Sequence, residues 1–149
     1  MNFYKNGKIY KITCLKTGLI YIGSTTKMLL EHRLYWHVED FQRWKYCGGG
    51  YMTSFKIIEN EDFQIELVED CSCNTKQELL RREQHFIKTL VCVNKVIPLQ
   101  TRAEYRISNQ DKIKAYALKT WFCECCKVDV GIISKRRRHE RSKKHLDRF

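Results

Sequence analysis

The sequence is poor in chain breakers and in continuous apolar stretches. Its 149 residues include one proline and seven glycines, and no run of apolar or aromatic residues exceeds four, as in Leu19-Ile20-Tyr21-Ile22. Runs this short exclude a membrane-spanning helix, which needs about 20 such residues. The opening residues, Met1-Asn2-Phe3-Tyr4-Lys5-Asn6-Gly7-Lys8, lack the apolar core of a secretory signal, so an intracellular setting with reduced cysteines is expected. Internal repeats and low-complexity tracts are also missing. Acidic residues are scarce against basic ones, 17 Asp+Glu to 28 Lys+Arg, which leaves a net charge of +11. With 43% hydrophobic and 12% aromatic residues, the composition is not that of a disordered chain. What is left is a basic globular protein, long enough for one domain with a small module attached.

The positive charge is unevenly placed. Residues 1–96 carry 14 Lys+Arg and 11 Asp+Glu, a net of +3, whereas residues 97–149 carry 14 and 6, a net of +8. A basic tail on a nearly balanced domain points to a polyanionic partner, most often nucleic acid; the alternative is a merely solvated surface. The single proline, Pro98, disfavours continuing a helix or central strand and marks an expected domain edge. The expected organisation is a first domain at 1–97, a basic, partly helical tether at 98–120 and a module at 121–149.

Within the first domain, Lys8–Thr13 and Leu19–Gly23 are rich in β-branched and aromatic residues, with Lys16-Thr17-Gly18 as the turn, which predicts a hairpin. Thr25 or Thr26 is the expected cap of a helix running to about residue 46, with Leu30, Leu34, Val38 and Phe41 as its apolar stripe. Phe63, Ile65 and Leu67 alternate as in a third strand. Thr75-Lys76-Gln77-Glu78 is a capping-box signature that opens a helix through about Leu90. The resulting class is α+β, a small three-stranded sheet with flanking helices. A further, mostly polar helix is expected over 103–119.

Three polar features fit this packing poorly. Glu83 lies among Leu79, Leu80, Phe86, Ile87 and Leu90, on or beside the face that buries, and a carboxylate there must be paired or hold a cation. Arg33 and His37, at i and i+4, share one helix face and can present a guanidinium and an imidazole to one phosphate; a surface arginine and a packing histidine are the alternative. Tyr10 and Tyr21 stand one in each hairpin strand, with Gly23 behind the second, where a missing side chain lets a ligand or backbone approach.

Together these residues resemble the GIY-YIG nuclease family. The first motif reads Lys8-Ile9-Tyr10 and the second Tyr21-Ile22-Gly23, with ten residues between the tyrosines. The family's helical arginine matches Arg33, the histidine four residues later His37, its metal-binding glutamate Glu83, and the asparagine that closes the domain Asn94. The resemblance spans roughly residues 6–97. One position departs from it: Lys8 stands where the first motif has glycine, with Gly7 adjacent, so Lys8 itself can approach the phosphate. The resemblance implies hydrolysis of DNA phosphodiester bonds with one divalent ion, Mg²⁺ (or Mn²⁺), on Glu83. Arg33 would donate to the scissile phosphate and Asn94 would position a metal-site water or brace the site. Tyr10 is the first choice of general base, acidified by nearby positive charge, with Tyr21 or His37 as alternatives.

Four ligand-type residues close the chain. Cys123, Cys126, His139 and His145 read C-x₂-C-x₁₂-H-x₅-H, within the C₂H₂ zinc-finger range. Two thiolates and two imidazoles complete a tetrahedral, structural Zn²⁺ shell, on a ββα module with its hairpin at Phe122–Val130 and one helix carrying both histidines. Cys125 is a competing thiol. The five-residue histidine gap, Trp121-Phe122 and Ser142-Lys143-Lys144 resemble the U1-like or matrin-type finger, which implies nucleic-acid binding. Lys135, Arg136, Arg137, Arg138, Arg141, Lys143 and Lys144 would face phosphates. The leading expectation is a homing-type or structure-specific endonuclease anchored by the finger. The alternative is a zinc-finger nucleic-acid-binding protein with an inactive nuclease-like domain. DNA is the expected partner, with RNA open for the finger, no membrane, and a monomer or transient dimer on DNA, in the nucleus or wherever that DNA lies.

Overall fold

In the computed structural model, which describes residues 2–147, β-branched and aromatic residues form the hairpin β1 (Lys8–Cys14) and β2 (Ile20–Thr25). A third strand, β3 (Phe63–Asp70), pairs with the other edge of β1, so the sheet is antiparallel in the order β2-β1-β3. Tyr10 stands opposite Gly23 on one side. On the other, the register slips between Ile9, opposite Glu69, and Tyr10, opposite Leu67, a bulge at the first motif tyrosine.

Helices cover both faces of β1. Ile9 packs with Ile22, Leu79 and Ile87, the last two on α3 (Lys76–Thr89). Tyr10, Ile12 and Cys14 face the other way, against Leu30 and Leu34 of α1 (Leu30–Cys47) and Ile57 of α2 (Phe55–Ile58). A third cluster, Phe41, Phe55 and Ile58 with Trp44, locks α1 to α2. The expected cap at Thr75 is present and accepts from the Glu78 amide at 3.2 Å. The helix α1 starts later than the sequence predicts. Thr25 is the last residue of β2, opposite Lys8, and its hydroxyl accepts from the Lys27 amide at 3.1 Å; Leu29 then opens the helix without a side-chain cap.

The chain divides into two compact units, Met1–Leu99 and Gln100–Phe149. The second contains α4 (Arg102–Ser108), α5 (Gln110–Ala117), the hairpin β4 (Thr120–Cys123) and β5 (Val128–Ile132), and two short helices, α6 (Arg136–Glu140) and α7 (Lys143–Leu146). Two single helices expected from the sequence are therefore broken. At Asn109, Ser108 Oγ donates to the Glu104 carbonyl (2.8 Å) and Asn109 Nδ2 to that of Tyr105 (3.0 Å), side chains competing for backbone acceptors at the junction. In the second case, residues six apart lie about 240° apart around a continuous helix, so His139 and His145 face one point only if the helix breaks. It breaks at Ser142, whose amide and hydroxyl both donate to the His139 carbonyl. Among the described residues no helix is long and apolar enough to cross a membrane.

Gly7, one residue before Lys8, lies where there is no room for a side chain. The Cys71 amide donates to the Gly7 carbonyl at 2.9 Å, and a Cβ at Gly7 would lie 2.5 Å from the Cys71 carbonyl oxygen and 3.2 Å from Leu79 Cδ1. Gly7→Ala is expected to lower the unfolding free energy by about 1–3 kcal/mol, the usual cost of overpacking, read as a lower urea midpoint at unchanged slope.

Candidate active site and metal cluster

Tyr10 is wholly buried, and its hydroxyl is the centre of a hydrogen-bonded chain between β1 and α1. Arg33 Nε donates to Tyr10 Oη at 3.0 Å, and Tyr10 Oη lies 2.8 Å from His37 Nε2. His37 Nδ1 lies 3.0 Å from Ser54 Oγ, just ahead of α2. A neutral imidazole with its proton on Nδ1 satisfies the chain: Tyr10 donates to Nε2 and Nδ1 donates to Ser54. Burial enforces that neutrality, pulling His37 down to about 3, with Arg33 adding in the same direction.

The expected acidification of Tyr10 is not found. Burial, reinforced by Tyr21, outweighs Arg33 and holds the Tyr10 phenol above its ordinary value near 10. Tyr21 is half-buried, edge-on to His37 at 5.4 Å between ring centroids, and burial with Glu83 nearby raises it to about 12. Gly23 makes room for the phenol itself: a Cβ there would overlap the Tyr10 hydroxyl and lie 2.6 Å from Cζ. Lys8 sits at the start of β1, paired with Thr25 and Asp70 in the two ladders.

Glu83 approaches from the other face of the sheet. Its Oε2 accepts from Ser24 Oγ at 2.5 Å, and no ion pair among the described residues includes it. Its neighbour Arg82 instead makes two 2.9 Å bonds to Glu69. Burial raises the Glu83 pKa, with Ser24 and Arg33 opposing. Glu83 acts electrostatically on both tyrosines and Arg33 acts on Glu83, so the four groups share one locale. Asn94 does something different: its Oδ1 accepts from the Ile22 amide (2.9 Å) and its Nδ2 donates to the Ile22 carbonyl (2.8 Å), clamping the free edge of β2 between Tyr21 and Gly23. Ser24 and Ser54 are the polar partners that sequence reasoning missed. Ser24 directly follows the second motif, which was a usable signal; Ser54 had none, since its role depends on α2 folding against α1.

In the second unit, the ligand atoms of Cys123, Cys126, His139 and His145 all lie within 4.8 Å of one another. Both sulfurs approach His145 Nδ1, at 3.5 and 3.3 Å. His139 Nε2 is buried without a hydrogen-bond partner, which a metal ion would satisfy. Two soft thiolates with two imidazoles fit zinc. Cys125 is exposed and outside the cluster. Lys135, Arg137, Arg138, Arg141, Lys143 and Lys144 are exposed. Arg136 is exposed as well, and it also pairs with Glu140 at 2.8 Å and lies over the Trp121 ring, 5.1 Å from its centroid.

A three-stranded antiparallel sheet with tyrosines in adjacent strands, a helical Arg-His pair and a carboxylate from the opposite helix defines a nuclease-type catalytic domain. The sequence matches the GIY-YIG catalytic domain over residues 6–92, and the chain belongs to that family. Its members are endonucleases, so the domain implies a nuclease-type function with nucleic acid as substrate. No curated protein and no solved structure gave a significant match to the chain.

The buried imidazole makes stability acid-sensitive in a defined window. Below its ordinary pKa of about 6.5, a histidine in the unfolded chain takes a proton, whereas folded His37 stays neutral down to about 3. The contribution is fully present above the upper limit and is lost as pH falls toward the lower one, at a slope approaching 1.4 kcal/mol per pH unit, an order-of-magnitude value. Denaturation of His37→Gln between pH 7 and 4 should therefore show a shallower pH dependence than wild type. Parallel curves would contradict the buried neutral imidazole.

Proposed function

We propose that the protein is a divalent-metal-dependent endonuclease that hydrolyses DNA phosphodiester bonds. Its catalytic domain at 1–97 is tethered through 98–120 to a C-terminal zinc finger that anchors it on nucleic acid. The observation that carries this reading is the convergence of Arg33, Tyr10, His37, Tyr21 and the Ser24-Glu83 pair around β2.

Glu83 would hold Mg²⁺ or Mn²⁺. Its carboxylate is a hard oxygen donor, and burial that disfavours an unpaired anion makes a cation welcome there. A bound divalent ion supplies charge stabilisation at the phosphoryl and leaving oxygens. Arg33 is fixed by its Nε on Tyr10, and the rest of its planar guanidinium donates to the scissile phosphate. Burial holds the Tyr10 phenol protonated, and its wholly buried hydroxyl positions the site, accepting from Arg33 Nε and donating to His37 Nε2. The incoming phosphate's negative charge offsets Arg33 and makes that imidazole a better acceptor. Ser54 keeps the accepting nitrogen turned toward Tyr10, and Asn94 braces the strand carrying Tyr21 and Gly23. In the second unit, Zn²⁺ on the Cys₂His₂ cluster supports the hairpin and short helices whose exposed cations meet phosphates.

Glu83→Ala should remain folded and bind DNA while losing at least about a hundredfold in cleavage rate, measured as nicking of supercoiled plasmid with Mg²⁺, with and without EDTA. Cleavage at the wild-type rate would overturn the metal assignment. A folded wild type that binds but never cuts would favour a zinc-finger binding protein. Cys126→Ser is expected to lose bound zinc by metal analysis, bind plasmid more weakly and show a shallower salt dependence; unchanged affinity would remove the finger's anchoring role.

A further inference from the structure

A groove of about 340 Å³ adjoins the catalytic cluster, and its lining includes Ser24, Lys27, Arg33, Trp36, Lys76 and Leu79. Two of these belong to the site already described, since Ser24 holds Glu83 and Arg33 holds Tyr10. The lining contributes three cations and no carboxylate, so the groove favours an anion. Its walls are apolar where Trp36 and Leu79 stand, and the Trp36 indole is the flat one. Trp36 differs from the other tryptophans. Trp44 packs against Phe41, Phe55 and Tyr51, and Trp121 against Arg136 and His139. Trp36 is 48% exposed and, among the described residues, has only Tyr35 as a ring neighbour, edge-on at 6.5 Å. On α1 it follows Arg33 by three residues and shares that side of the helix.

An anion joined to a flat apolar body is the chemistry of a nucleotide. We propose that this groove is a subsite for one unpaired nucleotide of the substrate, adjoining the scissile phosphate, with its base stacked on Trp36 and flanking phosphates on Lys27 and Lys76. A base in an intact duplex has both faces covered by its neighbours, so only an unstacked base can lie on the indole. The substrate class is then DNA with single-stranded character beside the cut, such as a flap or bulge. This rests on the nuclease reading, and it names Trp36 as the residue that sets substrate preference.

The test uses full-length, zinc-loaded, ¹⁵N-labelled protein without added magnesium, titrated with a short single-stranded oligothymidylate and separately with a blunt duplex. The Trp36 indole Nε1–H resonance should shift and saturate with the single strand and stay in place with the duplex. Trp36→Ala should weaken single-strand binding about tenfold, and Trp36→Phe, which keeps an aromatic face, should restore most of it. An indole unmoved by the single strand, or a folded Trp36→Ala variant that binds as wild type does, overturns the subsite. An equal response to the duplex overturns the preference for unpaired bases. If Trp36→Ala fails to fold, the wild-type indole shift and the Trp36→Phe affinity decide the matter. Failure of the two readings is distinguishable: plasmid cleavage with a silent Trp36 removes the subsite and keeps the nuclease, and a responsive Trp36 without cleavage does the reverse.

Discussion

The hydroxyl of Tyr10, buried between β1 and α1, is the contact on which the catalytic unit depends. A buried phenol must be hydrogen-bonded, and here its partners are the two polar residues that α1 carries on its sheet-facing side, Arg33 and His37. The same demand fixes the neighbours. Position 23 must be glycine because the phenol occupies the space a side chain would need, and Ser54 must follow α1 closely enough to meet the far imidazole nitrogen. A polar chain through the interior thus takes the place of part of the apolar contact between helix and sheet, and it orients one guanidinium toward the surface.

The carboxylate half of the site is built by separate means. Glu83 rides on a helix packed against the opposite face of the sheet, where the Ser24 hydroxyl of β2 donates to it. The two halves meet around β2, the strand that carries Tyr21, Gly23 and Ser24. This division explains why the carboxylate has no basic partner from its own helix: Arg82, the residue before it, is committed to Glu69 on β3.

Much of this was legible in the sequence. The hairpin, the third strand and the capped α3 follow from alternation and from Thr75, because local patterning and tertiary contacts agree there. The misjudged elements share a cause, the competition between side-chain and backbone hydrogen bonds. Thr25 reads as a helix cap but is taken by the strand ladder, and Ser108, Asn109 and Ser142 interrupt segments whose hydrophobic pattern alone suggests continuity. For the candidate site, motif spacing located the residues but not their protonation. Tyr10 reads as acidified because positive charge is expected nearby, and the opposing, larger effect of burial depends on α1 lying over the sheet. The Cys₂His₂ cluster was legible in full from its spacing, whereas the exclusion of Cys125 needed the turn between β4 and β5 to be built.

The asparagine clamp on β2 also acts outside the chemistry. β2 is an edge strand, and an unpaired edge is a template for strand addition from another chain. Asn94 answers both backbone groups of Ile22 with a single side-chain amide, and the Val93 amide donates to the Ile20 carbonyl at 2.8 Å. Two residues of an irregular segment thereby imitate a fourth strand just long enough to shield the catalytic edge. The residue that holds β2 beside Tyr21 and Gly23 therefore also occupies the backbone groups that a strand from a second molecule would need.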